Sequence, residues 1–414
     1  MPEHYGYTGK VLKIDLCSKR IAEYPWGDQD RRENLGGKVM AAQILRTHLT
    51  GKETAFSEDN WIVITTGPLT GTGAPGSARF DIAALSPKDD LPAFSNCGGD
   101  FGVWLKKAGY DALILTGRCS EKAWLEIHGD QILFHDAKAL WGTGTGECQE
   151  KLEARLGTHT FGRLCIGPAG ENLVKFASVI GDGHSTGRAG IGTVFGWKNV
   201  KAITVYGSSK IQLQDPDAAA DWNRKWYAQL REFSQGQDQG KTVCLGCPLH
   251  CSKHLHSEKE SELNELGMDA IAAKDAAIWA AELGIPLQTL YEDIAFRRGI
   301  GEKLAEGIAH RKGKRGKRRG GSYGAIMKAF RLAPDAPETN AFCQALTEAI
   351  SAAGQCMFTV NALRPEAPML YILPMLNAVT GRNITLEMLL RIGKRGAELE
   401  QQLRDIFGKK ESPL

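Results

Sequence analysis

The strongest constraint on this chain is a tight group of three cysteines, Cys244-Leu-Gly-Cys247-Pro-Leu-His-Cys251. Gaps of two and three residues, on a loop that turns into a helix, can set three thiolates on separate corners of one [4Fe-4S] cubane. Zinc competes for such a group, since His250 and His254 could complete a tetrahedral site. Zinc motifs, however, mostly come as two separated pairs, and this is a triplet. Unliganded thiols are the third alternative. A cubane needs a fourth thiolate from elsewhere, and Cys343 and Cys356 are both candidates. With either one, the helical half of the chain has to fold back onto the loop.

The remaining composition narrows the setting. The chain has 414 residues, which suggests two or three domains, and is 42% hydrophobic and 24% charged, as in ordinary globular proteins. The net charge of +3 points to neither nucleic acid nor a membrane surface as partner. No apolar run approaches the roughly 18 residues of a membrane span. Met1–Lys10 has no apolar core of the signal-peptide kind. With ten cysteines and no such leader, a reducing, cytoplasmic setting is expected. Cys17, Cys97, Cys119, Cys148 and Cys165 are scattered and read as small, partly buried hydrophobes.

The two halves of the chain differ in pattern. Up to about Tyr206, short apolar or alternating runs predict strands at 10–16, 61–65, 80–85, 112–116, 124–127, 163–166, 176–180 and 202–206. Helices interrupt them at about 38–48, 101–108 and 146–156. Glycine is dense at 67–76, 97–102 and 181–196, where a ligand could approach the backbone. From Asp215-Pro216, a cap followed by a first-turn proline, the chain reads as helical: to about 232, then 268–283, 286–312, 338–353, 368–379 and 386–407. The expected fold is α+β, with residues 1–208 a β-rich domain and 209–414 mainly helical. His310–Gly321 is a basic, glycine-rich stretch that reads as a solvated linker, with a docking patch for an acidic redox partner or RNA as the alternative.

Several segments resemble the aldehyde ferredoxin oxidoreductase family. They are Tyr7-Thr-Gly-Lys-Val-Leu-Lys-Ile-Asp-Leu16, Gly67-Pro-Leu-Thr-Gly-Thr72 with Arg79, Ser95-Asn-Cys-Gly-Gly-Asp-Phe-Gly102, Ala108-Gly-Tyr-Asp-Ala112, Ile166-Gly-Pro-Ala-Gly-Glu-Asn172, Gly187-Arg-Ala-Gly-Ile-Gly192 and Lys198-Asn-Val-Lys-Ala202. In the second half the cysteine triplet, Glu265-Leu-Gly-Met-Asp269, Lys303-Leu-Ala-Glu-Gly307 and Ala352-Ala-Gly-Gln-Cys356 also match. The resemblance implies an N-terminal β domain that cradles a bis-pterin carrying tungsten or molybdenum, and helical domains that hold the cubane beside it. It assigns Arg79 to a pterin phosphate, the Asn96 carbonyl to a phosphate-bridging magnesium, and Gly98 to the same site. Thr186, Arg188, Ala189 and Gly190 would offer main-chain contacts, and Asn264, Asp269 and Ser351 would lie at the pterin ring ends. It makes Cys356 the fourth cluster ligand, with Cys244, Cys247 and Cys251.

The departures matter as much. The family's two leading aspartates, which grip the pterins, are replaced by Asn264 and Ser351. The stretches between Cys251 and Asn264, and between Gly307 and Ala341, are shorter than the family's and lack counterparts of its glutamate and histidine near the metal. Glu258, Glu260 and Glu262 read as a solvated acidic loop, and His184 and His250 as structural. No catalytic residue can be assigned. Two functions follow from the resemblance. One is aldehyde–carboxylate interconversion at a tungsten- or molybdenum-pterin, with single electrons passing through the cubane to ferredoxin. The other is a non-catalytic paralogue, an iron–sulfur electron-transfer or structural subunit within a larger redox complex. Either implies an oligomer or a complex, without a membrane span or nucleic acid.

Overall fold

The computed structural model describes residues 4–182, 184–234, 244–249, 258–307, 326–327, 330, 332–333, 337–361, 369 and 371–408. Cys251, His250, His254 and the 310–321 stretch lie outside these residues.

Every strand among them falls between Val11 and Tyr206, in two six-stranded mixed sheets. The strands of the first sheet are β1 (Val11–Asp15), β2 (Ile21–Glu23), β3 (Ile62–Thr66), β4 (Phe80–Leu85), β5 (Pro92–Cys97) and β6 (Ala112–Thr116), in the spatial order β2-β1-β6-β3-β4-β5. Only the β1–β6 pair is parallel. The second sheet holds β7 (Ala123–His128), β8 (Gln131–Asp136), β9 (Gly162–Ile166), β10 (Val179–Gly181), β11 (His184–Thr186) and β12 (Val200–Tyr206), in the order β11-β10-β9-β12-β7-β8. Here β7–β12 is the parallel pair.

The helices of this half are α1 (Asp28–Asn34), α2 (Gly37–His48), α3 (Phe101–Lys107), α4 (Thr145–Leu156), α5 (Pro168–Glu171) and α6 (Ile191–Trp197). Alternation along the strands sets the layers. Leu12, Ile14, Ile62, Ile64, Leu113 and Leu115 face one core, shared with Leu125, Ile127, Leu164, Ile166, Ile203 and Val205 of the second sheet and with α3 and α6. Their neighbours on the opposite face, Val11, Val63, Ala112 and Ile114, pack instead on α2 and on helices from the second half.

That second half is helical: α7 (Pro216–Ser234), α8 (Glu258–Glu265), α9 (Ala270–Glu282), α10 (Leu290–Ala295), α11 (Gly301–Ala305), α12 (Pro337–Ala352), α13 (Met357–Asn361), α14 (Ile372–Thr380) and α15 (Leu386–Ile406). The helix expected over 286–312 is a correction. It is two short helices, α10 and α11, because Arg297 and Gly299 take φ of 52° and 55° between them, which no continuous α-helix allows. No helix among the described residues is long and apolar enough to cross a membrane. Of the scattered cysteines, Cys97, Cys119, Cys148 and Cys165 are buried, whereas Cys17 is exposed.

The halves meet backbone to backbone. The Leu69 N–H donates to the Ala353 carbonyl at 3.0 Å, and the Cys356 N–H to the Gly76 carbonyl at 3.1 Å. A methyl group on Gly67 would overlap the Gly354 nitrogen and the Ala353 carbonyl carbon. This close approach needs glycine at position 67, and it brings the segment after α12 against the Gly67–Arg79 loop.

Candidate functional site

The junction forms a small, partly open cavity lined by Gly76, Ala78, Arg79, Gly98, Cys244, Cys247, Leu249, Cys356 and Phe358. Three of the four expected cluster ligands therefore share one hollow, although Cys356 is over a hundred residues from Cys247. Cys343, the other candidate, lies on α12, fully buried in the core against α2 and α15. Cys251 is outside the described residues.

Two of these sulfurs are met by N–H donors from the β-rich half. Arg79 Nη2 donates to Cys356 Sγ at 2.9 Å, and the Gly99 N–H donates to Cys244 Sγ at 3.3 Å. His184 Nε2 lies 3.9 Å from Cys244 Sγ. The loop is tied down by a turn from the Cys247 N–H to the Cys244 carbonyl, 3.1 Å, and by the Leu245 N–H donating to Asp100 Oδ1, 3.2 Å. A methyl on Gly98 would overlap Cys244 Sγ, so glycine is required for the sulfur to sit there. Burial pulls the Arg79 pKa down, but the Cys356 and Cys244 sulfurs overcome it and hold the guanidinium above its ordinary value. Burial, and then the Arg79 charge, lower the pKa of His184. Such a donor set suits thiolates, whose charge N–H groups stabilise. Among the described residues no three His, Cys, Asp or Glu groups come within reach of one metal ion. A cubane distributes its thiolates over separate irons and does not require that convergence.

Behind Arg79 a second network was not foreseen from the sequence. Arg79 Nη1 donates to Asn96 Oδ1 at 3.2 Å, and Asn96 Nδ2 donates to Asp81 Oδ2 at 3.1 Å. The Ser351 hydroxyl donates to the same Asp81 oxygen at 2.8 Å. Asp81 is buried on β4, next to the edge strand β5, and the one visible signal was a carboxylate within the apolar run Phe80-Asp-Ile-Ala-Ala-Leu85. Burial pushes the Asp81 carboxyl up to about 7, against the lowering pull of the Ser351 and Asn96 hydrogen bonds. The folded protein thus keeps a proton that the unfolded chain releases near pH 4. Stability from this group is present below pH 4 and is lost as pH rises to about 7. Asp81→Asn is expected to be more stable than wild type at pH 8, by a few kcal/mol, with the gap closing towards pH 4. Guanidinium unfolding midpoints across that range check it, and a gap independent of pH would refute it.

The other expected cofactor positions lie apart from the cysteine cavity. Thr186 ends β11 and is buried; Ala189 (φ 61°) and Gly190 (φ 84°) turn the chain into α6. Arg188 is 55% exposed and sits 3.7 Å from Asp269, whose carboxylate caps α9 by accepting from the Ile271 and Ala272 N–H groups. The Asn264 carbonyl accepts the Thr145 hydroxyl at 3.0 Å. Of the ten positions, only Arg79 and Gly98 line the cavity.

The profile of the family described as "Aldehyde ferredoxin oxidoreductase, N-terminal domain" matches residues 11–207. The tungsten-containing aldehyde ferredoxin oxidoreductase of Thermococcus kodakarensis is 36% identical over 212 residues, 51% of this chain and 35% of that protein. The aliphatic sulfonate oxidoreductase WOR-like subunit of Pyrococcus furiosus is 30% identical over 253 residues, 57% of this chain and 40% of that one. The matches thus span well under half the length of these relatives. Among solved structures, the active site complex BamBC of benzoyl coenzyme A reductase superposes with a TM-score of 0.81 at 20% identity, covering 98% of this chain and 90% of that one. At that identity it speaks for the fold.

Proposed function

We propose that this chain, whose residues 11–207 match the N-terminal domain of the aldehyde ferredoxin oxidoreductase family, is an electron-transfer member of that family carrying one [4Fe-4S] cluster on Cys244, Cys247, Cys251 and Cys356. The observation that carries this reading is the cavity in which Cys244, Cys247 and Cys356 meet, with N–H donors from Arg79 and Gly99 aimed at two of the sulfurs. A cubane bound there exchanges one electron at a time. The guanidinium and the amide stabilise thiolate charge and hold the ligands in place. Leu245 and Phe358, 43% and 48% exposed, belong to the cysteine loop and the cavity wall, and form the apolar contact for a redox partner such as ferredoxin or an iron–sulfur subunit.

A tungsten- or molybdenum-pterin fits these residues poorly. Asn264 and Ser351 offer no carboxylate, and the Ser351 hydroxyl is committed to Asp81. Arg79, the expected phosphate ligand, is committed to Cys356 and Asn96. No chemical step through a pterin or magnesium is therefore assigned. Aldehyde–acid interconversion stays as the second reading, favoured by the relatives' match over the whole β-rich half.

Metal analysis by mass spectrometry on anaerobically purified protein separates the readings. Iron with neither tungsten nor molybdenum is expected. Stoichiometric tungsten or molybdenum beside iron would carry the second reading instead, and zinc alone would overturn both.

A further inference from the structure

Away from the cysteine cavity, α9 presents a surface unlike the rest of the molecule. Four of the ten exposed large hydrophobic residues among those described lie on or just after it: Ile271 at 51%, Ile278 at 60%, Leu283 at 56% and Leu287 at 47%. Its inner side is settled, because Ala273, Ala276 and Ala280 are buried in the cluster with α5, α10 and α11. At 100° per residue, Ile271, Lys274, Asp275 and Ile278 fall together on the opposite, outward side. A helix whose outward stripe carries two isoleucines around one basic and one acidic residue is built to be covered.

The order of these residues identifies the cover. Read from either end, the stripe is isoleucine, two residues, a charge, a charge, two residues, isoleucine, with opposite signs at its centre. We propose that a second copy of this chain packs on α9 in antiparallel register, with a two-fold axis between Lys274 and Asp275. Ile271 of each copy then meets Ile278 of the other, and Lys274 of each faces Asp275 of the other. An isologous contact demands this self-complementarity. A parallel or shifted register would place like charges or unmatched isoleucines together. Lys274 also pairs with Glu260 of its own chain at 2.8 Å, and an ammonium group has three donors, enough for both partners. Asp275 has no ion-pair partner among the described residues. A helix of 13 residues is about 20 Å long, so the helix pair alone is smaller than a standard interface. Leu283 and Leu287 extend the apolar surface beyond the helix end, once on each side of the axis. This inference is independent of what the cysteine cavity binds.

Sedimentation equilibrium on the full, anaerobically purified chain tests it. Wild type is expected to be dimeric in the micromolar range, and Ile278→Asp monomeric with unchanged iron content and circular dichroism. Lys274→Glu and Asp275→Lys should each raise the dimer dissociation constant at least about tenfold. The double charge exchange K274E/D275K should bring it back towards wild type, since it re-forms the cross-axis pairs with reversed signs. A monomeric wild type would assign this face to a different polypeptide and overturn the proposal. So would a dimer indifferent to Ile278→Asp. A double exchange that fails to restore association would overturn the antiparallel register.

Discussion

Replacing Cys356 with serine is expected to strip most of the iron from anaerobically prepared protein, together with its visible sulfur-to-iron absorption, while Cys343→Ala leaves both at wild-type level. The difference follows from position. Cys356 faces the cavity opposite Cys244 and Cys247, with Arg79 Nη2 on its sulfur. Cys343 is enclosed by the apolar residues of α2, α12 and α15, and trimming it to alanine removes one buried sulfur at a cost of about 1 kcal/mol. Iron and acid-labile sulfide assays on both variants read the result. Equal loss in both, or loss only in Cys343→Ala, would show that the fourth ligand is misassigned.

Much of this arrangement is legible in the amino-acid sequence. Strands such as Ile62–Thr66 and Ala112–Thr116 are continuous apolar runs and were found within a residue or two. The strands that went unseen lack that signal. Gln131–Asp136 alternates exposed and half-buried residues at a sheet edge, Pro92–Cys97 begins with proline and carries Asn96, and His184–Thr186 is three polar residues held by pairing with β10. Their strand character comes from tertiary hydrogen bonding, which a local pattern does not encode. The site divides in the same way. Cysteine spacing and family resemblance named Cys244, Cys247 and Cys356, and the resemblance named Gly98. That Ser351 would donate to Asp81, and Arg79 to Cys356, depends on side chains more than two hundred residues apart in sequence.

Gly67→Ala should be strongly disruptive, because it strikes the junction between the two halves. The added carbon would collide with the Gly354 nitrogen and the Ala353 carbonyl carbon, both backbone atoms that no rotamer change can move. Overpacking of this kind costs about 3 kcal/mol or more. Position 354 is two residues before Cys356, so the displacement reaches the cavity as well. A thermal midpoint several degrees below wild type and partial loss of iron are expected. Gly27→Ala is the control, since its methyl would meet only Asp30 Oδ2, at an ordinary 3.6 Å. If Gly67→Ala kept both its midpoint and its iron, the junction would have to be looser than the close backbone contacts imply.

The two-faced first sheet has a consequence for biosynthesis. As the chain leaves the ribosome, all twelve described strands can pair before Cys244 has been made, because none extends beyond Tyr206. Pairing the strands, however, covers only one face of that sheet. Val11, Val63 and Ile114 on the other share their cluster with residues of α12, α14 and α15, translated more than a hundred residues later. Until those helices emerge, that oily face of the sheet is covered only in part, by α2. That interval is its most vulnerable period, in which it is most open to aggregation and to capture by a chaperone.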